Sequence, residues 1–492
     1  MTRSVVLFSR ENFAWLSMQE IIPELCSAWL GSARPGVHSV RVVCVDDCSF
    51  AEASRAVLES DNVVLAAFNF RIARLVRFSR EKLRLDFRLT VHLHGMASVA
   101  GWPLREFLGE CLFAHDVFVT TCEVDAQIWK ACAPHAQIEV IPFTLAEFNP
   151  SAQAEDPGPV REFSFVGRVS PQKNLHSLIL AYAILHRERG GSIPPLVIYG
   201  GEDGLGSPNM GAKISDYRSW LEQLVKRLGL SDAVVFRGFM ERAELNAALS
   251  ARNHVLVSAS LHSDENFGMA AFRSLSQGMP AVLSAWGGHH DLARYFPAGQ
   301  TQLVDVRVTD AGPVLSPHEF ARQMGLAAES TRLSPAIPEH YLGERITREY
   351  LRLATLPSDF HSNEKLIFST LAERVNESRA RILADSKDPM KIFSGYADPL
   401  ARPFFEHYAG GAKAGVTTQT GVSHLGVRPV PWVESEGEAF VVNDPHRGVF
   451  RAPLSDEGLD QLYRWGFAFS DLPELPNLQD QASATTTLRQ PS

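Results

Sequence analysis

Four groups of residues in this chain of 492 have types and spacings that could do chemistry. The first is Gly167-Arg168 with Lys173 five positions on, in the segment GRVSPQKN. Two cations at the start of a helix, backed by the free amides of its first turn, make an anion site. The helix end favours negative charge, and Arg and Lys add charge-assisted hydrogen bonds. The second group is residues 262–268 (HSDENFG), where Asp264 and Glu265 supply carboxylates and the amides of 266–269 open another helix. The third is the glycine turn at 286–290 (WGGHH). The fourth is His94-Gly95, closing the run LTVHLHG, in which His92 precedes His94 by two positions. No Asp-x-Asp metal motif accompanies them. The six cysteines, at 26, 44, 48, 111, 122 and 132, lack C-x-x-C spacing, so neither a zinc site nor a disulfide framework is indicated.

Each group follows a short apolar, β-branched run, the pattern of a strand buried on both faces. These runs are residues 89–95, 162–166 (EFSFV), 253–259 (NHVLVSA) and 281–283. Between the last two, residues 268–277 place Met269, Phe272 and Leu275 at helical spacing, and Gly278 and Pro280 stop the helix. In open α/β sheets ligands bind beyond the carboxyl ends of the strands. That places Glu265, the amides after it and the 286–290 turn around one crevice. Similar runs at 4–8, 40–45, 63–68, 117–121 and 138–142, and at 195–200, 234–238 and 302–306, alternate with helical stretches. This βαβ rhythm predicts an α/β protein with two parallel-sheet, Rossmann-like domains. A Pro, Gly and acid-rich linker at 151–159 separates them. Pro23 inside the helical stretch 15–29 predicts a kink or a break there.

The segment ENFGMAAFRSLSQGMPAV resembles the donor-binding signature of retaining glycosyltransferases with the GT-B fold, family GT4. That signature runs Glu-x-Phe-Gly, a second Glu after seven intervening residues, then Gly-x-Pro-Val. Glu265, Phe267, Gly268, Gly278, Pro280 and Val282 match it, the last with one extra residue after the proline. GRVSPQKN is similar to the family's Gly-Arg-x-x-x-x-Lys, and His94-Gly95 to its first-domain histidine. The resemblance covers roughly residues 1–355. It implies two Rossmann-like domains facing across a cleft and sugar transfer from a nucleotide sugar, UDP- or GDP-linked, with retention and no essential metal or cofactor. Gly167, Arg168 and Lys173 would hold the donor pyrophosphate, joined by the backbone of Asn266, Phe267 and Gly268. His94 and Glu265 would be the catalytic pair, facing the sugar and holding its hydroxyls, and Phe239 would border the base. The acceptor would be a glycan, lipid-linked or small.

Three departures qualify the match. Ser9 to Asn12 stand where many members have a glycine-rich loop, and Phe143-Thr144 replace an Asn-Gly. Arg273 stands at the second acidic position, whose carboxylate in the family accepts the ribose hydroxyls; an Arg is donor-only and always charged. Three readings follow: another group serves the ribose, the donor carries more negative charge near that position, or donor binding is impaired. The last leaves an alternative function, a GT-B-shaped binding or scaffold protein whose C-terminal module docks a partner.

A single core stops growing near 250–300 residues, so this length requires several domains. The boundaries read as 1–152, 160–330, a crossover helix region at 331–360, and an appended α+β module at 361–492. A net charge of −9, from 47 basic and 56 acidic residues, speaks against a nucleic-acid partner. Residues 71–88 invert that balance, with seven Lys/Arg against two acids and Ile72, Leu75, Val76 and Phe78 at helical spacing. A basic amphipathic helix of this kind suits contact with an anionic membrane surface. The apolar run near the N-terminus is only four residues long, and nothing approaches a membrane-spanning length of about 20. The expected location is therefore the cytoplasm, with any membrane contact peripheral, at the inner face and through 71–88.

Overall fold

The computed structural model describes residues 1–95, 97–143, 145, 158–202, 217–250, 253–263, 265–309, 312–357, 364–385, 402–410, 432–436, 439–444, 448–453, 455, 458 and 461. They form two compact units, one of Met1–Pro150 with Ile337–Lys387 and one of Ser151–Ala336 with Asp388–Ser492.

The first unit carries a six-stranded parallel sheet: β1 (Thr2–Phe8), β2 (His38–Cys44), β3 (Asn62–Leu65), β4 (Arg88–His92), β5 (Val117–Thr120) and β6 (Gln137–Val140), in the order β2-β1-β3-β4-β5-β6. Its helices are α1 (Met18–Gly31), α2 (Phe50–Leu58), α3 (Phe70–Glu81), α4 (Ala97–Leu108) and α5 (Glu123–Cys132). The central strands β3, β4 and β5 are buried at every position, including the polar Asn62, Arg88, Thr90, His92 and Thr120. α1 runs through Pro23 as one helix, so the predicted break does not occur. Residues 71–88 split into α3 and the approach to β4. Ile72, Leu75 and Val76 are buried in the unit's own core, and Phe78 is half-buried. Four of the seven cations are engaged as well. Arg80 and Asp116 form a buried pair at 2.7 Å, Arg71 pairs with Asp46 and Arg77 with Glu81, and Arg88 donates to the carbonyls of Leu353, Leu356 and Pro357.

The second unit carries another six-stranded parallel sheet: β7 (Glu162–Val166), β8 (Leu196–Tyr199), β9 (Val234–Gly238), β10 (His254–Ser258), β11 (Ala281–Ser284) and β12 (Thr301–Val304). The order is β12-β11-β10-β7-β8-β9. Counted within the unit this is 3-2-1-4-5-6, the doubly wound order that reverses direction between its first and fourth strands. The helices are α6 (Leu175–Glu188), α7 (Tyr217–Arg227), α8 (Arg242–Ser250), α9 (Met269–Ser276), α10 (His289–Tyr295) and α11 (Pro317–Ala328). The reversal opens a crevice at the carboxyl ends of β7 and β10, which is where the second half's candidate residues stand.

Past residue 337 the chain divides between the units. α12 (Gly343–Thr355) returns to the first, where Tyr350 stacks on Trp29 with centroids 4.7 Å apart and planes within 4°. α13 (Thr370–Asp385) stays there through a pair between Glu373 and Arg105 at 2.9 Å. α14 (Arg402–Tyr408) instead packs on the second unit, putting Phe405 and Tyr408 against Trp286. The described helices beyond residue 361 thus belong to different units. The described remainder of 361–492 is a three-stranded antiparallel sheet, Trp432–Glu436, Ala439–Asp444 and Gly448–Pro453. Among the described residues no helix is long and apolar enough to cross a membrane.

Candidate functional site

In the second unit the two loops that leave β7 and β10 meet. Gly167 ends β7 so close to β8 that a Cβ on Gly200 would lie 1.7 Å from the Gly167 carbonyl. The chain then turns through Arg168 and a short 3-10 turn, Pro171–Lys173, into α6. Lys173 Nζ donates to Glu265 Oε2 at 2.6 Å, and Arg168 bonds His262 at 2.8 Å. The backbone ties the loops too: Leu261 N donates to Gln172 O at 3.0 Å, and Asn174 Nδ2 to Ala259 O at 3.1 Å. The sequence places these cations and this carboxylate roughly 90 positions apart. The sheet order brings them within bonding distance.

Glu265 is braced from several sides. Ser260 Oγ donates to the same Oε2 at 2.6 Å, and the Gly288 amide donates to the Glu265 carbonyl at 2.7 Å. Gly288 can approach only because it lacks a side chain, since a Cβ there would lie 2.4 Å from Asn266 O. Burial alone would raise the Glu265 pKa. Lys173, through its charge and its hydrogen bond, outweighs burial and holds the carboxyl well below its usual range, so it is ionised at neutral pH. Burial likewise pushes His262 and His289 down, with Lys173 reinforcing the effect. Both imidazoles are neutral near pH 7, which makes Lys173 the working counter-ion. The bond from the Arg168 guanidinium, which can only donate, makes His262 Nε2 the acceptor.

The other predicted positions fall out unevenly. Asn266 and Phe267 are buried, and the Phe267 ring packs on Phe272 at 5.3 Å, so this stretch can offer a ligand only its backbone. Gly268 takes a left-handed φ of +78° directly before α9. Arg273 is half-buried in α9, its pKa lowered by burial. Phe239 is 58% exposed just past β9, beside Gly201. Asp264 lies outside the described residues. Among the described residues no three His, Cys, Asp or Glu side chains gather as a metal-ligand set.

In the first unit, His94 stands two residues past β4, in the loop at the strand's carboxyl end rather than within the strand. Its Nε2 donates to Ala66 O at 2.7 Å, which leaves Nδ1 the acceptor, and the ring lies on Phe143 with centroids 5.6 Å apart. Burial lowers its pKa. His92 is structural: its Nε2 accepts from Trp29 Nε1 at 3.0 Å inside the core.

Sequence reasoning assigned no individual role to Ser260, Ser284 or His289. His289 Nδ1 donates to Ser284 O at 3.0 Å, and Ser284 Oγ donates to Ser260 O at 2.5 Å. The pairing of His289 with a serine after β10 and another ending β11 leaves no trace in linear spacing. The glycine turn before His289 was the one available signal.

Residues 150–299, which contain every second-unit position named above, match the family model described as glycosyl transferases group 1. An uncharacterised glycosyltransferase of Bacillus subtilis, YqgM, is 32% identical over 228 residues, covering 43% of this chain and 56% of its own. A second, MJ1607 of Methanocaldococcus jannaschii, is 32% identical over 132 residues, covering 27% of this chain and 29% of its own. The chain thus spans about half the length of the first of these relatives and less of the second. Among solved structures, Anabaena Alr3699/HepE in complex with UDP aligns over 78% of this chain and all of its own, at 16% identity and a TM-score of 0.47.

Proposed function

We propose that this protein transfers a sugar from a nucleotide-sugar donor to an acceptor, with retention and without a metal ion. The observation that carries this reading is the pairing of Lys173 with Glu265 at 2.6 Å in the switch-point crevice, inside the segment that matches the glycosyl transferase model. A departing nucleoside diphosphate develops negative charge. Lys173, Arg168 and the amides opening α9 are the groups that would stabilise it, in the role a divalent ion plays elsewhere. Glu265, ionised and braced, would accept hydrogen bonds from sugar hydroxyls. Gly167 would let the backbone close on the phosphates and Phe239 would border the base, UDP or GDP being the expected nucleotides. His94 would be the catalytic residue contributed by the first unit, as a neutral acceptor. The acceptor would be a glycan or small molecule, lipid-linked or free, met in the cytoplasm.

A thermal-shift panel with UDP, GDP, ADP and CDP tests the donor site, because a ligand that binds only the native state raises the melting midpoint by mass action. One nucleotide should stabilise the protein, and Arg168→Ala should abolish that shift. Arg273 supports the second reading, a scaffold with a disabled ribose pocket. No shift in the wild type together with a shift in Arg273→Glu would favour it.

A further inference from the structure

His289 is buried on its own terms, yet one of its nitrogens faces the candidate site. Its Nδ1 bonds the Ser284 carbonyl at 3.0 Å, and a carbonyl can only accept, so Nδ1 carries the proton. In the neutral ring Nε2 is therefore a bare acceptor. It lies 4.0 Å from Glu265 Oε1, the carboxylate oxygen that neither Lys173 nor Ser260 uses. The ring is held there by the missing side chain of Gly268, where a Cβ would come within 3.1 Å of Cδ2 and 3.4 Å of Nε2.

Two acceptors set 4.0 Å apart do not bond each other. What fills the gap must donate. A proton on Nε2 would convert the imidazole to a cation beside Lys173, in a buried place that disfavours it. Among the described residues a metal ion would find only two ligands there, beside the same neighbouring cations. Hydroxyl groups meet neither objection. Two hydroxyls on adjacent ring carbons, each donating at about 2.8 Å, can engage one acceptor apiece.

We propose that Glu265 Oε1 and His289 Nε2 form a two-acceptor fork that takes a pair of neighbouring hydroxyls on the donor sugar, which makes His289 a specificity-determining residue. This rests on the donor-site reading above, and it adds a stated requirement: an unsubstituted vicinal diol. A sugar that lacks either hydroxyl leaves one buried acceptor without a donor. Such a deficit costs more than a hydrogen bond is worth when made.

The test uses the full chain and separates nucleotide from sugar. Titration calorimetry with the nucleoside diphosphate selected by the panel, and with its hexose-linked form, gives the affinity that the sugar adds. His289→Phe keeps a ring over Gly268 and removes the acceptor. It should bind the bare nucleotide within about twofold of wild type and lose roughly tenfold or more of the sugar's increment. In wild-type protein, two donors deoxygenated at adjacent carbons should each bind about tenfold worse. One of these two losses should vanish in the His289→Phe background, as coupled partners require. The fork is overturned if His289→Phe keeps the full sugar increment, or if no adjacent pair of deoxy donors is penalised in the wild type. A variant that loses the bare nucleotide together with the sugar assigns His289 a purely structural role and also overturns it. If the wild type binds no nucleoside diphosphate at all, the donor-site reading falls, and the fork with it.

Discussion

Lys173 and Glu265 hold one another at 2.6 Å. On the proposed reading a donor diphosphate would draw on the ammonium, and sugar hydroxyls on the carboxylate. Glu265→Gln keeps an acceptor for Ser260 and removes the charge that competes for Lys173. The expected result is paradoxical for a site residue: affinity for the bare nucleoside diphosphate stays equal or rises several-fold, while transfer falls by 10²-fold or more. Calorimetry and turnover on one preparation check both halves, and a matching fall in nucleotide affinity would refute the argument. Lys173→Met should act oppositely. It leaves a carboxylate that is 12% exposed with only Ser260 to support it, at a cost of roughly 1–3 kcal/mol in stability, because a buried charge loses its partner. The types of Arg168, Lys173 and Glu265 were legible in the sequence, because strand-end cations and carboxylates announce themselves. His289 was not, because its tautomer is set by a carbonyl five residues earlier and its facing partner by a loop 24 residues earlier.

At the scale of elements, the site depends on how three turns abut. Gly268 joins the β10 loop to α9 with a positive φ and leaves space for His289. Ala there would cost about 1–2 kcal/mol for the left-handed backbone alone and would push the imidazole aside. Gly268→Ala should therefore weaken sugar binding more than nucleotide binding. Less expected is α14. Tyr408 O accepts from Gly287 N at 2.8 Å, its ring meets Trp286 at 5.2 Å, and Trp286 Nε1 holds the His262 carbonyl at 2.8 Å. A helix about 120 residues away in sequence thus clamps the turn that presents His289. Tyr408→Ala should cost about 3 kcal/mol, within the range for deleting a buried aromatic, and lower nucleotide affinity as the turn loosens. Melting curves with and without nucleotide separate the two effects. The strands of both sheets were legible because continuous apolar runs have few other fates. α14 was not, since RPFFEHY is a single short apolar patch within a Gly, Pro and Thr-rich stretch, with no period to betray a helix. For the basic stretch 71–88, periodicity showed an apolar face but not that Ile72, Leu75 and Val76 are buried within their own unit.

Across the whole molecule, the shared feature is a set of histidines kept neutral by burial. His38, His92 and His94 in the first unit, and His176, His262, His289 and His290 in the second, all have pKa values below the ordinary one. His176, bonded to the Tyr217 hydroxyl at 2.8 Å, is pushed down to about 3. The sign follows from proton counting. Below the unfolded value of about 6.5 the unfolded chain binds protons that the folded one refuses, so stability falls with pH. Each such histidine contributes up to about 1.4 kcal/mol per pH unit through that window, and for His176 the window extends to about pH 3. The depressed carboxyls add their own loss only below about 4.5, so the interval from 6.5 to 5 isolates the imidazoles. Melting midpoints should be flat from pH 8 to 7 and decline steeply from 6.5 to 5. His176→Gln should melt lower at pH 8, having lost a packed ring, but with a shallower decline by one proton's worth. A wild-type midpoint unchanged down to pH 5 would mean that these histidines titrate as freely in the fold as out of it. That outcome would also remove the basis for treating His262 and His289 as neutral acceptors beside Lys173.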